Sequence, residues 1–151
     1  MRHFIPNLKG YAIFDNLRRE IANNQPGLFI KQWVRNEIEN YLPLPQTLYN
    51  FGASLHAGVI WQQRFREIVD GNIPPIALHD PSNSFWIRSK ISDDFLSPLF
   101  EQFLDEAGIP RGFMDKSKFY QLVEYVNPEL IENELIETIT GFYKHYTGEG
   151  K

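Results

Sequence analysis

Apolar residues in this chain recur mainly at spacings of three and four, and clusters of proline, glycine and asparagine divide the pattern into segments. Such spacing lines one face of a helix, so the pattern predicts a helical protein. Residues 1–10 read as an irregular lead-in that contains Pro6 and ends at Gly10. Ile13, Phe14, Leu17 and Ile21 predict an amphipathic helix over 11–22, with Arg18, Arg19 and Glu20 toward solvent. Asn23-Asn24-Gln25-Pro26-Gly27 predicts a turn. Phe29, Ile30, Trp33, Val34, Ile38 and Tyr41 then predict a second helix over 28–41, stopped by Pro43 and Pro45.

The longest proline-free stretch, 46–71, carries the densest apolar periodicity and predicts a central helix. Leu48, Phe51, Leu55, Val59, Phe65 and Val69 fall in one stripe, widened by Trp61 and Ile68. Gly52, Ala53, Ala57 and Gly58 leave a shallow waist at mid-length. A glycine inside a helix costs about 1 kcal/mol against alanine, so the pair predicts close approach of a neighbouring element, first of all another helix, or of a ligand.

Residues 72–91 predict one long irregular loop, because Pro74, Pro75 and Pro81 with Ser82, Asn83 and Ser84 cannot continue a helix. Ordered loops of that length are uncommon and often functional, which makes this segment the first place to look for a site. Beyond it, Ser92, Asp93 and Asp94 offer an N-cap for a helix ending near Ala107 and closed by Gly108 and Pro110. Asp115 or Ser117 caps a further helix to Val126. Asn127-Pro128 opens a last helix to about Tyr146, with Leu130, Ile131, Leu135, Ile136, Ile139 and Tyr143 facing inward. No sustained two-residue alternation marks a strand. The predicted fold is mostly α: a single domain over 1–151, built as a bundle or orthogonal array of about six helices, with 147–151 a frayed tail.

Composition narrows the class. An apolar fraction of 42%, with 15% aromatic residues, suits a packed core rather than a disordered chain. No apolar run approaches the ~18 residues of a membrane helix. The first residues show no secretory signal, and a cytoplasmic, membrane-free protein is expected. The absence of cysteine removes disulfides, thiol nucleophiles and cysteine-ligated zinc. The net charge of −4 is uneven: residues 1–70 carry eight Lys and Arg against six Asp and Glu, whereas 71–151 carry seven against thirteen. An acidic C-terminal half disfavours a nucleic-acid footprint spread over the whole protein.

Candidate chemistry is sparse. No phosphate-cradling glycine loop and no GxSxG nucleophile elbow occurs, so no catalytic residue is assigned. His79-Asp80 follows apolar Ile76-Ala77-Leu78 and lies 23 residues after His56. That arrangement resembles the metal-binding signature of the HD phosphohydrolases. The resemblance implies a divalent metal held by His56, His79 and Asp80 that activates water against a phosphoester. Departures are Pro74-Pro75 and Pro81, which bracket the dipeptide where that family has a continuous helix. The competing reading of Asp80-Pro81-Ser82-Asn83 is a turn capped by a side chain, with no cofactor at all.

Phe85, Trp86, Arg88 and Lys90, with Arg64, form the other candidate surface. An aromatic beside cations suits a protein hot spot or the stacking of single-stranded nucleic acid. In a net acidic chain the protein partner ranks above nucleic acid, and self-association into an oligomer is a further outcome. The function expected is therefore a non-catalytic binding domain, a subunit, adaptor or inhibitor, acting through the 84–90 loop and an acidic C-terminal face. A metal-dependent phosphohydrolase and a single-stranded nucleic-acid binder are the alternatives.

Overall fold

The computed structural model describes residues 9–22, 27–56 and 58–148, and the protein is mostly helical, as the periodicity predicts. Five α-helices follow one another: α1 Gln46–Ser54, α2 Val59–Asn72, α3 Ser84–Arg88, α4 Ser97–Ala107 and α5 Asn133–Thr147. Two short strands, β1 Gly10–Phe14 and β2 Leu28–Gln32, precede them. No helix among the described residues is long and apolar enough to cross a membrane.

The core is aromatic. Leu48 and Phe51 of α1, Phe65, Ile68 and Val69 of α2, and Leu99, Phe100, Phe103 and Leu104 of α4 are buried together, with Phe119 and Leu122 closing one side. Phe65 meets Phe103 edge to face at 4.9 Å between ring centroids, and Phe51 meets Phe100 in the same way at 5.6 Å. Edge-to-face packing sets positive ring edges against negative faces and adds to the stabilisation from burial.

The predicted central helix is two helices, the first ending at Ser54 and the second starting at Val59. Gly58 adopts φ +85°, a left-handed conformation that L side chains rarely take, and stands at the N-terminus of α2. The break folds α2 back onto α1. Carbonyl groups freed at the end of α1 are capped by Gln62, whose Nε2 donates to Ala53 O at 3.0 Å and Leu55 O at 2.9 Å. Gly52 is the close approach that the waist predicts: a Cβ there would lie 2.6 Å from Cδ1 of Phe65. Because that ring is fully buried, it has nowhere to swing. Gly52→Ala is therefore expected to destabilise the protein by about 1–3 kcal/mol by overpacking, although alanine is the better helix former. A urea unfolding curve checks this, and a gain in stability would show that the α1–α2 seam can open.

The N-terminal region differs from its sequence pattern. Helices expected over 11–22 and 28–41 are instead β1 and β2, paired in parallel with Gly10 opposite Leu28 and Phe14 opposite Gln32. Both segments, GYAIF and LFIKQ, are rich in aromatic and β-branched residues that suit a pleated surface. The pairing runs on past the strands, with Trp33 N–H donating to Phe14 O at 3.0 Å and Asn16 N–H to Asn36 O at 2.8 Å. Arg18 at φ 54° ends any helical continuation of 11–22. The only helical part of the second segment is a 3-10 turn, Ile38–Tyr41. Most of the predicted lead-in and of the turn over 23–27 lies outside the described residues.

Downstream, the chain follows its sequence signals more closely. The 72–91 segment is irregular except for α3, where the Asn83 side chain accepts from Phe85 N–H at 3.0 Å. Ile91–Leu96 winds as a π-helix that runs directly into α4. Pro98 lacks the N–H that an α register would direct to Asp94 O, and Ser97 N–H reaches back five residues to Ser92 O instead. Gly108, at φ 66°, closes α4. Lys116–Tyr125 forms a 3-10 helix capped by Asp115. Asn127-Pro128 opens only the 3-10 turn Pro128–Leu130, and α5 starts afresh at Asn133.

Candidate functional site

Helix α5 is attached by its N-terminal end. Glu132 and Glu134 lie at the start of the helix, where the dipole favours carboxylates, and both reach the segment after β2. Arg35 is the hub. Its Nε donates to Glu132 Oε2 at 3.2 Å and its Nη2 to Glu132 Oε1, while Nη1 donates to Asn40 O at 2.8 Å and to Trp86 O at 3.4 Å. Such a two-pronged guanidinium–carboxylate pair fixes direction as well as distance. Glu134 accepts from Tyr41 OH and from Val34 N–H at 3.2 Å. Burial, together with the Glu134 carboxylate that accepts the hydrogen bond of its OH, pushes the Tyr41 phenol up to about 12, against the backbone N–H groups of Arg35 and Val34. At its other end α5 sets Phe142 and His145 against Tyr11 of β1, with ring centroids 5.4 and 5.8 Å apart.

Between these two anchors the apolar face of α5 is uncovered. Thr138 alone among its described residues is buried. Ile136 and Ile139 are half exposed, and Tyr143 and Tyr146 more so. The sequence expectation that Leu130, Ile136, Ile139 and Tyr143 face inward is thus corrected: they form a stripe, but the stripe is not roofed. Leu135, Ile136 and Ile139 form one wall of an apolar groove of about 400 Å³. The opposite side comes from Ile38, Leu42 and Pro43 after β2, and from Val123 and Val126 at the end of the 3-10 helix. The groove is bordered in the chain by acidic residues. Glu124, Glu129 and Glu137 make no ion pair among the described residues, and burial pushes the Glu39 carboxyl upward. Contiguous exposed apolar surface rimmed by polar groups is the usual mark of an interaction site.

The residues singled out by sequence are placed differently. Trp86 is 4% exposed, its Nε1 donating to Ala77 O at 2.8 Å and its ring meeting Phe85 and Phe95 edge to face. It pins the 72–91 segment to the core and is not a free recognition ring. Phe85 is partly buried on the same core. Lys90 is exposed beside Asp93 at 3.8 Å, and Arg88 lines a cleft together with Arg18. Arg64 belongs to a separate cluster that holds α2 to α4, donating to Glu106 at 2.7 and 2.9 Å and to Glu67 at 3.2 Å.

His56 is exposed in the connection between α1 and α2, and His79 is exposed in the turns before α3. Asp80 is occupied as a turn cap: its Oδ1 accepts from Ser82 N–H at 3.0 Å and Ser82 Oγ at 2.6 Å, bonds that hold its carboxyl below the usual range. Among the described residues no group of three or more His, Asp or Glu side chains is arranged to hold a metal ion, so the divalent-metal alternative has no assembled ligand set there. His3 lies outside the described residues.

The groove residues Ile38, Ile136 and Ile139 were visible in the sequence only as members of apolar stripes. The one available signal was a last helix with a full apolar face and an acidic opposite face. No protein-family model, curated protein or solved structure matches this chain.

Proposed function

We propose that this protein is a non-catalytic binding module whose apolar groove along α5 receives a cationic amphipathic segment, most simply a helix, of another protein. The observation that carries this reading is the uncovered apolar face of α5, held open by anchors at both of its ends. A helix laid in such a groove presents apolar residues at i, i+3/i+4 and i+7, and its flanks meet the groove rim. The residues lining the groove are uncharged, but Glu124, Glu129 and Glu137 neighbour them in the chain, and residues 71–151 carry thirteen Asp and Glu against seven Lys and Arg. Lys and Arg on the incoming flanks would pair with those glutamates, favouring this partner over an acidic or neutral one and speeding encounter.

The test is titration of the protein with a synthetic Lys/Leu amphipathic helical peptide and with its Glu/Leu counterpart. The cationic peptide is expected to bind saturably and the acidic one not. Ile139→Glu, on an exposed position, should leave the melting temperature nearly unchanged and weaken the cationic peptide by roughly tenfold or more, the size expected for a central apolar contact. Equal binding of both peptides, or no effect of Ile139→Glu, contradicts the proposal. Conversion of a dimer to a monomer by that substitution, with no peptide binding, would assign the face to a second copy of the chain.

A further inference from the structure

We infer that the cleft between the loop after β1 and the C-terminal end of α3 is a binding site for a small phosphate monoester carrying an apolar or aromatic substituent. The cleft, of about 480 Å³, is lined by Asn16, Arg18, Val34, Asn36, Ile87 and Arg88. Its size lies within the range of small-molecule sites.

Three observations combine. The first is an excess of donors. The carbonyl groups around the cleft are already engaged: Val34 O accepts from Asn16 Nδ2 at 2.7 Å, Asn36 O from Asn16 N–H at 2.8 Å and Ile87 O from Asn36 N–H at 3.2 Å. With those acceptors satisfied, the remaining polar groups offered to a ligand are chiefly the two guanidinium groups and the side-chain amide of Asn36. The second is charge. Neither Arg18 nor Arg88 has a carboxylate partner among the described residues, whereas Arg35, Arg64 and Arg111 do, and the guanidinium of Arg66 lies over the Tyr49 ring. Two arginines without a carboxylate partner that line one cleft favour an anion there.

The third is backbone geometry. Arg18 holds φ 54°, a conformation unfavourable for a residue with a long side chain, and it is the one non-glycine residue with positive φ among those described. Asn16 Oδ1 fixes it there by accepting from Arg18 N–H at 2.9 Å. The same Asn16 side chain, through Nδ2, ties the loop to Val34, so one residue both builds the cleft wall and sets the Arg18 backbone.

The chemistry of the donors selects the ligand. Guanidinium groups are planar forks that match tetrahedral phosphate oxygens in pairs, and a phosphate monoester carries close to two negative charges at neutral pH, against one for a carboxylate. Val34 and Ile87 supply an apolar wall on which the organic part of the ester lies. No bond is made or broken in the proposed event, and the inference is independent of the groove on α5.

Isothermal titration with phenyl phosphate, inorganic phosphate and benzoate tests the assignment on the full chain. Phenyl phosphate should bind saturably, inorganic phosphate more weakly for want of the apolar contact, and benzoate more weakly still. Arg88→Gln, at an exposed position that folding does not need, and Arg18→Gln should each weaken phenyl phosphate by roughly tenfold or more, the loss of one charge-assisted donor pair. Arg111→Gln removes the same charge from an ion pair with Asp105 and should leave binding unchanged. Absence of saturable phenyl phosphate binding overturns the inference. So does an Arg111→Gln effect equal to that of Arg88→Gln, which would mean non-specific charge attraction. Benzoate binding as tight as phenyl phosphate would replace the phosphate site with a carboxylate site.

Discussion

Phe65→Ala is expected to cost about 3–5 kcal/mol of folding stability, a large part of the roughly 5–15 kcal/mol that holds a domain folded. Phe65 has no exposed surface, and its ring is enclosed by Phe51, Phe100 and Phe103 at centroid separations of 5.5, 5.8 and 4.9 Å. On its fourth side lies the backbone of Gly52, too close to admit even a methyl group. Truncation therefore opens a cavity bounded by three rings and a helix backbone. Rings held by two other helices cannot collapse into it without moving α1 or α4, so most of the cavity term persists. Urea unfolding is the measurement. A loss below about 1.5 kcal/mol would mean that the three remaining rings repack, and that the α1–α2–α4 junction is softer than described.

Arg35→Leu should have the second largest effect, about 2–3 kcal/mol, the range for hydrogen bonds to charged groups when the remaining partners are only partly exposed. One guanidinium joins three separate stretches of chain: Glu132 at the start of α5, Asn40 in the 3-10 turn and Trp86 in α3. Its planar face also lies over the Tyr41 ring, 5.5 Å from the centroid. Leucine keeps some of the apolar packing but abandons the Asn40 and Trp86 carbonyls and the Glu132 carboxylate. Trp86 O retains the Asn40 Nδ2 donor at 2.7 Å, which limits the loss there. The detached element should be α5, because Glu134 with Tyr41 would then be its main polar anchor at that end. Amide exchange in 133–147 should accelerate more than exchange in α2 or α4. Uniform acceleration would show that α5 and the core open together.

Helix α4 was legible because three independent signals agree on it: apolar spacing from Phe95 to Leu104, an acidic start and Gly108 at its end. Agreement of that kind is what specifies an element locally. β1 and β2 lacked it. Ile13, Phe14 and Leu17 fit a helical stripe, yet the same aromatic and β-branched residues fit a strand. What decides between them is pairing with a partner eighteen positions along the chain, which periodicity cannot register. The central helix was read as one because its stripe runs unbroken from Leu48 to Val69, and only the φ of Gly58 reveals the reversal.

The candidate surface was ambiguous for a similar reason. Trp86 beside Arg88 and Lys90 reads equally as a recognition patch or as a ring inserted into the core, and the hydrogen bond from its Nε1 to Ala77 O resolves the choice. For α5 the sequence stated correctly that an apolar stripe exists. Whether anything covers a stripe depends on where the rest of the chain ends up, and here the 3-10 turns at Lys116–Tyr125 and Pro128–Leu130 place Val123, Val126 and Ile131 along its edge and leave the top open. Asp80 was legible as a turn cap from its spacing to Ser82, and that is the role it plays.

The most direct test of the groove is amide hydrogen exchange of the protein alone and with saturating cationic Lys/Leu amphipathic peptide. A peptide seated in the groove should slow exchange at 134–141 and 123–126, leave the 84–90 segment unchanged, and lose both effects in the Ile139→Glu variant. Protection confined to 84–90, or protection at α5 that persists unaltered in Ile139→Glu, would contradict a binding role for the α5 groove.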